Sequence, residues 1–388
     1  MKTSKVLYAG AAILTCTLII VLYSGIGISA ADSSKNTDIT AKFIAGMGSS
    51  ENPALSRYAQ SSYYRNYASR IKSGWDRFQK PNMEKIASWW SSHAPDSYNS
   101  TVLYPFSGPD IMNALTFFPD AKLYIMFGLE SPGTVPDATS MPARSITRGL
   151  NNLQKSLNTI FHVNFFRTKG MAKNLGNKSF NGTTGLLMFF LSMNGYEVLD
   201  ARKIAIDSRS RIASWKASDD SINWQKPPAS RRIPGVEIVF RRKGKEPQKL
   251  RYFMLNVIDY ALANHSPNFI PYLEKEGPFT TIIKSASYLM HNDTVKFTRI
   301  RSAILSNSDY ILQDDSGIPL RYLKKDNWKV TFHGFYNGPI PLFSHRMQKD
   351  LKAAMEKYST GILPFSYGYD YRENESNLIT AEKKSRTR

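Results

Sequence analysis

The chain has 388 residues with 51 Lys and Arg against 31 Asp and Glu, a formal net charge of +20, and one cysteine. The single Cys16 excludes a disulfide framework, and it lies inside an apolar N-terminal run. A positive surplus of this size favours contact with polyanions such as anionic lipid, acidic glycans or phosphate-rich polymers. The alternative is a charge that serves only solubility and non-specific adhesion.

The N-terminus has the layout of a secretory signal. Two lysines precede an apolar run at 6–28, and Ser29-Ala30-Ala31 precedes polar residues. We therefore predict a signal peptide over residues 1–31. A run of roughly 20 apolar residues can also span a bilayer, so an uncleaved inner-membrane anchor is the alternative. Export without cysteines favours a bacterial periplasm or cell envelope, and it makes nucleic acid the least favoured partner.

The rest of the chain divides by composition. Residues 32–56 are polar and rich in Gly and Ser, which predicts a tether, and residues 371–388 form a charged tail. Between them, residues 57–370 are long enough for one large domain or for two intimate halves at about 57–200 and 201–370.

Residues 101–130 predict a strand, a sharp turn, a short helix and a second strand. The first strand covers 101–106, the turn 107–110 and the second strand 122–129, with Pro119 ending the helix. A similar layout follows at 279–317, where a strand, a polar turn, a helix and a strand end in Asp314-Asp315-Ser316-Gly317. Two such units predict an α/β fold with a parallel or mixed sheet covered by helices on both faces.

Residues 201–251 predict an inserted basic β-hairpin. The segment carries 14 Lys and Arg against 5 Asp and Glu, and two strand patterns meet at Lys243-Gly244-Lys245. A ribbon of one charge sign predicts a polyanion-binding surface, and a solvated face is the alternative. The residues predicted to bind substrate are Arg231, Arg232, Arg241, Arg242 and Lys243.

The predicted strand ends carry the candidate catalytic residues. Open parallel sheets bind ligands beyond the carboxyl ends of their strands. If the two units are neighbours in one sheet, six residues would meet there: Ser107, Asp110, Glu130, His291, Asp314 and Asp315. Two carboxylates in unlike surroundings can divide the roles of acid and base, and the adjacent Asp314 and Asp315 are the best pair.

Structural roles compete with these assignments. Asp110 could cap its helix, and Asp314 or Asp315 could stabilise the turn at Ser316-Gly317. A Ser107, His291 and Asp314 triad is possible, but nothing in the sequence fixes its geometry. No zinc spacing occurs among the histidines, and no spaced set of carboxylates predicts Mg²⁺ or Ca²⁺, so the pattern identifies no metal and no cofactor.

These patterns favour an exported envelope protein that acts as a hydrolase or transferase on an anionic polymer. One alternative is a non-catalytic periplasmic binding protein for an acidic glycan or lipid. Another is an anchored scaffold whose basic face docks on a partner or a membrane. The oligomeric state leaves no signature in the sequence.

Overall fold

A computed structural model describes residues 35–163, 180–216, 232–294, 296–369 and 375–384. It shows one ten-stranded mixed sheet with helices on both faces, which confirms the predicted α/β class. The strands in chain order are β1 Thr101–Pro105, β2 Leu123–Gly128, β3 Glu197–Ile206, β4 Ile212–Ser214, β5 Ile233–Arg241, β6 Gln248–Met254, β7 Phe279–Ile283, β8 Ser308–Gln313, β9 Trp328–Gly334 and β10 Asn377–Lys383.

The helices are α1 at 35–44, α2 Pro53–Ala59, α3 Ser62–Gly74, α4 Lys80–Trp90, α5 Met112–Phe117, α6 Ala143–Val163, α7 Thr184–Met193, α8 Asp259–Asn264, α9 Phe269–Glu276, α10 Thr298–Asn307 and α11 Lys349–Tyr358. A π-helical turn at Trp75–Gln79 joins α3 to α4 in one unbroken helical run, and Pro81, which has no N–H to donate, lies directly after this turn.

The order across the sheet is β4-β3-β5-β6-β2-β1-β7-β8-β10-β9. The middle five strands, β6-β2-β1-β7-β8, are parallel, and the outer strands are antiparallel. Alternate side chains enter different cores, as the pleat of a strand dictates. In β1, Val102 and Tyr104 face one core and Leu103 faces the other. The central strands are apolar on both sides because helices cover both faces.

The chain reverses its winding direction between β1 and β7. These strands pair in parallel, with Val102 opposite Thr280. Helix α5 leads from β1 to β2 on one face, whereas α10 leads from β7 to β8 on the other face and in the other direction. The two strand-helix-strand units predicted from sequence are therefore neighbours. Their boundary is a topological switch point, where open α/β sheets form a crevice at the carboxyl ends of the strands.

Two predictions at the ends of the domain were wrong for the described residues. Part of the predicted tether forms α1, which buries Ile39, Phe43 and Ile44 in the core. Part of the predicted tail forms β10, which pairs with both β8 and β9 and lies inside the sheet. Short groups of apolar residues do not stand out in the composition when polar residues surround them, although the burial of those groups stabilises the fold.

The basic hairpin is present but does not project as a separate ribbon. β5 pairs with β6 and also with β3, so both of its strands are interior strands of the main sheet. The two proposed halves of the domain share this sheet, because β2 pairs with β6 and β1 with β7. Within the described ranges, no helix is both long and apolar enough to cross a bilayer, and the predicted signal or anchor at 1–31 lies outside them.

Candidate functional site at the switch point

A buried ion pair joins the carboxyl ends of β1 and β7. Lys284 directly follows β7, and its Nζ lies 3.0 Å from Oδ2 of Asp110, in the turn after β1. Both side chains are almost completely removed from solvent, at 1% and 5% exposure. Each buried charge is stabilised by the other, because a single charge at this position would lose its hydration without compensation. The ion pair therefore couples the two units at their boundary.

Asp110 does not cap α5. The N-cap position is Ile111, without a side-chain hydrogen bond. The hydrogen bonds to the carboxylate come from other side chains: Nδ2 of Asn113 lies 3.1 Å from Oδ2, and the hydroxyl of Tyr104 lies 3.3 Å from it. Burial, and then the charge of Asp110, raise the pKa of Tyr104 well above its ordinary value, so this phenol stays a hydrogen-bond donor.

The loop after β7 holds an unusual backbone conformation. Ser285, Ser287 and Tyr288 have φ of 52°, 52° and 53°, and Phe106 after β1 has φ of 59°. Non-glycine residues seldom enter this left-handed region, which carries about 1–3 kcal/mol of strain per residue. Such strain persists only where surrounding contacts impose it. For the loop after β7 these contacts come from the aspartates after β8 and from Tyr369, whose hydroxyl bonds the backbone of Ser285 and Ser287.

Asp314 holds this loop through its carboxylate. Oδ2 accepts the backbone N–H of Ser285 at 3.0 Å, and Oδ1 accepts the hydroxyl of Ser316 at 2.5 Å. Gly368, with φ of 75°, packs against the carboxylate so closely that a Cβ there would collide with it. Burial raises the pKa of Asp314, and the bond from Ser316 opposes this shift. The predicted structural role in the Ser316 turn is thus realised, and the same side chain also holds the loop after β7 within its own unit.

Asp315 faces different partners from its neighbour. Its Oδ2 accepts the hydroxyl of Tyr288 at 2.6 Å, and its Oδ1 accepts Nδ2 of Asn377, at the start of β10, at 3.1 Å. Burial, and then repulsion by Asp314, raise the pKa of Asp315 to about 7. A carboxyl group with this pKa exchanges its proton near neutral pH, as general acids and bases do.

His291 lies next to this pair as a neutral imidazole. Burial, and then the charge of Arg321, lower its pKa to about 4. Its ring meets the ring of Tyr288 edge to face at 5.0 Å, and its backbone carbonyl accepts a bond from Arg321 at 2.7 Å. The imidazole lies beside the backbone of Asp315, yet its Nε2 has no hydrogen-bond partner among the described residues.

Three buried polar atoms at this edge are left without partners in the described part of the chain. They are Oδ1 of Asn113, Oγ of Ser285 and Nε2 of His291. Buried polar atoms are normally satisfied, since an unmade hydrogen bond costs about 1–3 kcal/mol. These unpaired polar atoms lie on both neighbouring units, at a switch point. They indicate a place where a polar ligand would supply the missing hydrogen bonds. We call Asp110, Asn113, Lys284, Ser285, Tyr288, His291, Asp314 and Asp315 the switch-point site.

The other two predicted residues lie at the same edge with separate bonds. The hydroxyl of Ser107 donates to the carbonyl of Gly108 at 3.0 Å. Oε2 of Glu130 accepts the hydroxyl of Tyr252 at 3.2 Å. Ser107 and Asp314 form their described hydrogen bonds with other residues, and Nε2 of His291 has no partner among the described residues. These contacts do not form the hydrogen-bonded chain that a catalytic triad requires.

The predicted basic substrate-binding residues are divided between the two edges of the sheet. Arg232 precedes β5 on the switch-point edge and donates to the carbonyl of Ser214 at 2.6 Å. Arg241 ends β5, and Arg242 and Lys243 follow it at the opposite edge, one strand length or roughly 30 Å away. There Arg241 pairs with Glu197 at 2.8 Å, Arg242 lies over the ring of Tyr196, and Lys243 is exposed. Arg231 lies outside the described residues.

Sequence reasoning missed the residue that links the units, Lys284. It ends the β-rich run Thr280-Thr281-Ile282-Ile283, and a lone charge directly after a buried strand was the available signal. Asn113, Ser285 and Tyr288 were missed because a search for carboxylates and histidines passes over amides and hydroxyls. Their importance comes from burial, which sequence does not display residue by residue.

The arrangement combines two fixed charges with a proton-exchanging carboxyl and a neutral imidazole. These four groups together are suited to acid–base chemistry on a polar substrate. Among the described residues, no group of three His, Cys, Asp or Glu side chains is placed to hold a metal ion. The geometry therefore defines an α/β protein with a polar switch-point site. No protein-family model matches the chain, and no curated protein matches its sequence.

Proposed function

We propose that this protein is an exported hydrolase or group transferase of the bacterial envelope, acting on an anionic polymer at the switch-point site. The observation that carries the proposal is the carboxyl pair Asp314 and Asp315 beside the buried ion pair of Asp110 and Lys284, at the boundary of two oppositely wound units. Ligands of open α/β sheets bind at this position.

Asp315 is the proposed acid and base. Its pKa of about 7 lets it give or take a proton at neutral pH, while Asp314 keeps its neighbour's pKa high and fixes the loop. The ion pair of Asp110 and Lys284 supplies fixed charges whose orientation does not have to change during reaction. The strained backbone at Ser285 supports the proposal, because stored strain clusters at functional sites.

An anionic substrate fits the charges around the site. Arg321 donates to the carbonyl of His291, and both Arg321 and Arg346 act on that imidazole with their positive charge. The +20 net charge draws polyanions toward the molecule as a whole. The basic turn at Arg241, Arg242 and Lys243 lies too far away to touch the reacting group, so it would hold a distant part of a long polymer.

The test is turnover by single substitutions. Asp315→Asn keeps the shape and an accepting oxygen for Asn377, reverses the bond with the Tyr288 hydroxyl and removes the titrating proton, so turnover of poly(glycerol phosphate), polygalacturonate or alginate should be lost. Loss of one general acid–base residue typically lowers rates by about 10²–10⁴-fold. Asp326→Asn, at an exposed position, is the matched control and should leave turnover unchanged. Full activity in Asp315→Asn would remove the catalytic proposal.

A non-catalytic binding protein is the second candidate. It is favoured by the hydrogen bonds that both oxygens of Asp314 and both oxygens of Asp315 already accept within the protein. Carboxylates engaged in this way can be structural and still shape a ligand site. A wild-type protein that binds these polymers but releases no reducing ends or phosphate would favour this candidate over the enzyme.

A further inference from the structure

An open groove of about 590 Å³ runs along the outer face of α4. Four side chains of the helix and Ser92 just beyond its end line one side of it, at spacings that place them on one stripe, and Pro364 forms the opposite wall. The stripe consists of Pro81, Glu84, Lys85, Ser88 and Ser92, with Trp89 among the lining residues. Its size falls in the range of about 300–1,000 Å³ that is usual for small-molecule sites.

The groove is held in shape by direct contacts. Asn82 and Ser366 exchange two hydrogen bonds, at 3.2 Å and 3.0 Å, which fix the wall next to the helix. The indole of Trp89 stacks on His93 at 4.0 Å and meets Phe365 edge-on at 5.5 Å. A binding surface fixed before the ligand arrives avoids part of the entropy loss on binding.

The groove differs from the rest of the protein in charge. Among the residues that the structure describes, Glu84 and Lys85 are its only charged lining residues, and their charges cancel, although the chain as a whole carries +20. The groove therefore provides little electrostatic attraction for a polyanion. The Ser88 hydroxyl, and the Ser92 oxygen whose own proton goes to the Trp89 carbonyl at 3.1 Å, offer hydrogen bonds next to the apolar surface of an indole and two prolines.

We propose that this groove binds a neutral saccharide unit. A sugar ring has an apolar face of C–H groups and a rim of hydroxyls that both donate and accept hydrogen bonds, and the groove presents a surface of the same two kinds. Amphipathic aromatic rings suit such contacts because they combine apolar area with low loss of conformational entropy. The proposal does not depend on the function assigned to the switch-point site.

The groove is nevertheless connected to that site through one segment. Pro364 forms its wall, and a few residues further on the hydroxyl of Tyr367 donates to the carbonyl of Ile283 at 3.3 Å. Tyr369 then donates to the carbonyl of Ser285 at 2.7 Å. Five residues of extended chain span at most roughly 18 Å. A saccharide in the groove is therefore within a few sugar lengths of the switch-point site.

The experiment titrates the full chain with cellotetraose, maltotetraose and chitotetraose by calorimetry, at low and at high salt. We expect saturable binding to at least one, unchanged by salt because the ligand carries no charge. Ser88→Tyr, at an exposed position, fills the groove without altering the core and should weaken binding by roughly tenfold or more, about 1.4 kcal/mol. Trp89→Ala should do the same, and Trp215→Ala, a tryptophan outside the groove, should not.

Two results would overturn the proposal: no saturable binding to any of the three sugars, or undiminished affinity in Ser88→Tyr. If Trp89→Ala does not fold, the affinity of Ser88→Tyr still tests whether the sugar binds in the groove. Asp315→Asn should retain saccharide binding in full. Loss of turnover with retained binding therefore separates this site from the switch-point site.

Discussion

Lys284 and Asp110, 174 residues apart in the chain, form a buried ion pair with 3.0 Å between Nζ and Oδ2. One residue follows β7 and the other lies in the turn after β1, so the pair spans the boundary between two units of opposite winding. A lysine at 1% side-chain exposure has no water to solvate it. Asp110 is the carboxylate in direct contact with this ammonium, whose charge also acts on Asp314, and the stability of this boundary therefore depends on these buried charges together.

Asp110→Asn should destabilise the protein strongly. The substitution keeps the shape of the side chain but leaves the buried ammonium of Lys284 without its counter-charge, which typically costs about 3–5 kcal/mol. The double variant Asp110→Leu with Lys284→Met removes both charges and should recover most of the loss. Urea unfolding of the three proteins measures this difference. A single variant as stable as the wild type would show that the ion pair contributes little.

Asp315 should make the wild type less stable as pH rises from about 4 to about 7. Its folded pKa of about 7 lies above the ordinary value near 3.8, so within this window the folded state retains a proton that the unfolded state has released. The slope reaches at most about 1.4 kcal/mol per pH unit. Asp315→Asn should abolish this contribution, which is read from the difference between the two stability curves at pH 5 and pH 7. Parallel curves would contradict the raised pKa.

His291 and His333 should stay neutral down to about pH 5. Burial is the main cause that lowers both pKa values to about 4, with Arg321 acting on the first and His93 on the second. The unfolded state takes up protons between about pH 6.5 and pH 4 and the folded state does not, so these residues add stability that is complete above pH 6.5 and declines below it. NMR titration of the imidazole C–H signals measures this directly. Signals of both residues that shift near pH 6.5 would contradict the burial argument.

Leu378→Ala should show that β10 is an interior strand. Leu378 is fully buried, and truncating a buried leucine costs about 2–5 kcal/mol because a cavity remains. Glu382→Gln, at an exposed position on the same strand, is the control and should change stability by about 0.5 kcal/mol or less. Chemical unfolding gives both values. Equal, small effects would restore the interpretation of this segment as a loose tail.

Replacing Arg241, Arg242 and Lys243 by Ser should weaken polyanion binding and flatten its salt dependence. The turn lies at the opposite edge of the sheet from Asp315, so turnover of a short substrate should be unaffected. A control with Lys324, Lys325 and Lys349 replaced by Ser removes the same charge from other exposed positions. If both variants lose affinity equally, the net charge rather than this turn attracts the polymer.

The sequence predicted most of the regular elements because their signals are local. The two strand-helix-strand units were identified from apolar runs, and β1, β2, β7 and β8 fall within the predicted units. Turn residues such as Gly108 and Pro109 marked the boundaries correctly, since their backbone preferences do not depend on distant contacts. The α/β class follows from these elements.

What the sequence did not predict depends on contacts between distant segments. The helix at 35–44 and strand β10 are short and surrounded by polar residues, so their burial is decided by the sheet and helices they pack on. The bond of Asp110 to Lys284, rather than to a helix N-terminus, likewise required the neighbouring position of β7. The acidic candidates were placed at one edge correctly, but their partners Lys284, Tyr288 and Asn377 came from segments that sequence alone does not align.

The pairing of Val102 with Thr280 has a consequence for how the molecule is made. A contact between residues so distant in the chain closes slowly, because the intervening loop must first lose its freedom. During synthesis, one edge of β1 would therefore stay unpaired until the ribosome has made β7. A nascent or clipped chain should therefore be inert and prone to aggregation, and activity should emerge only when the last strands have docked.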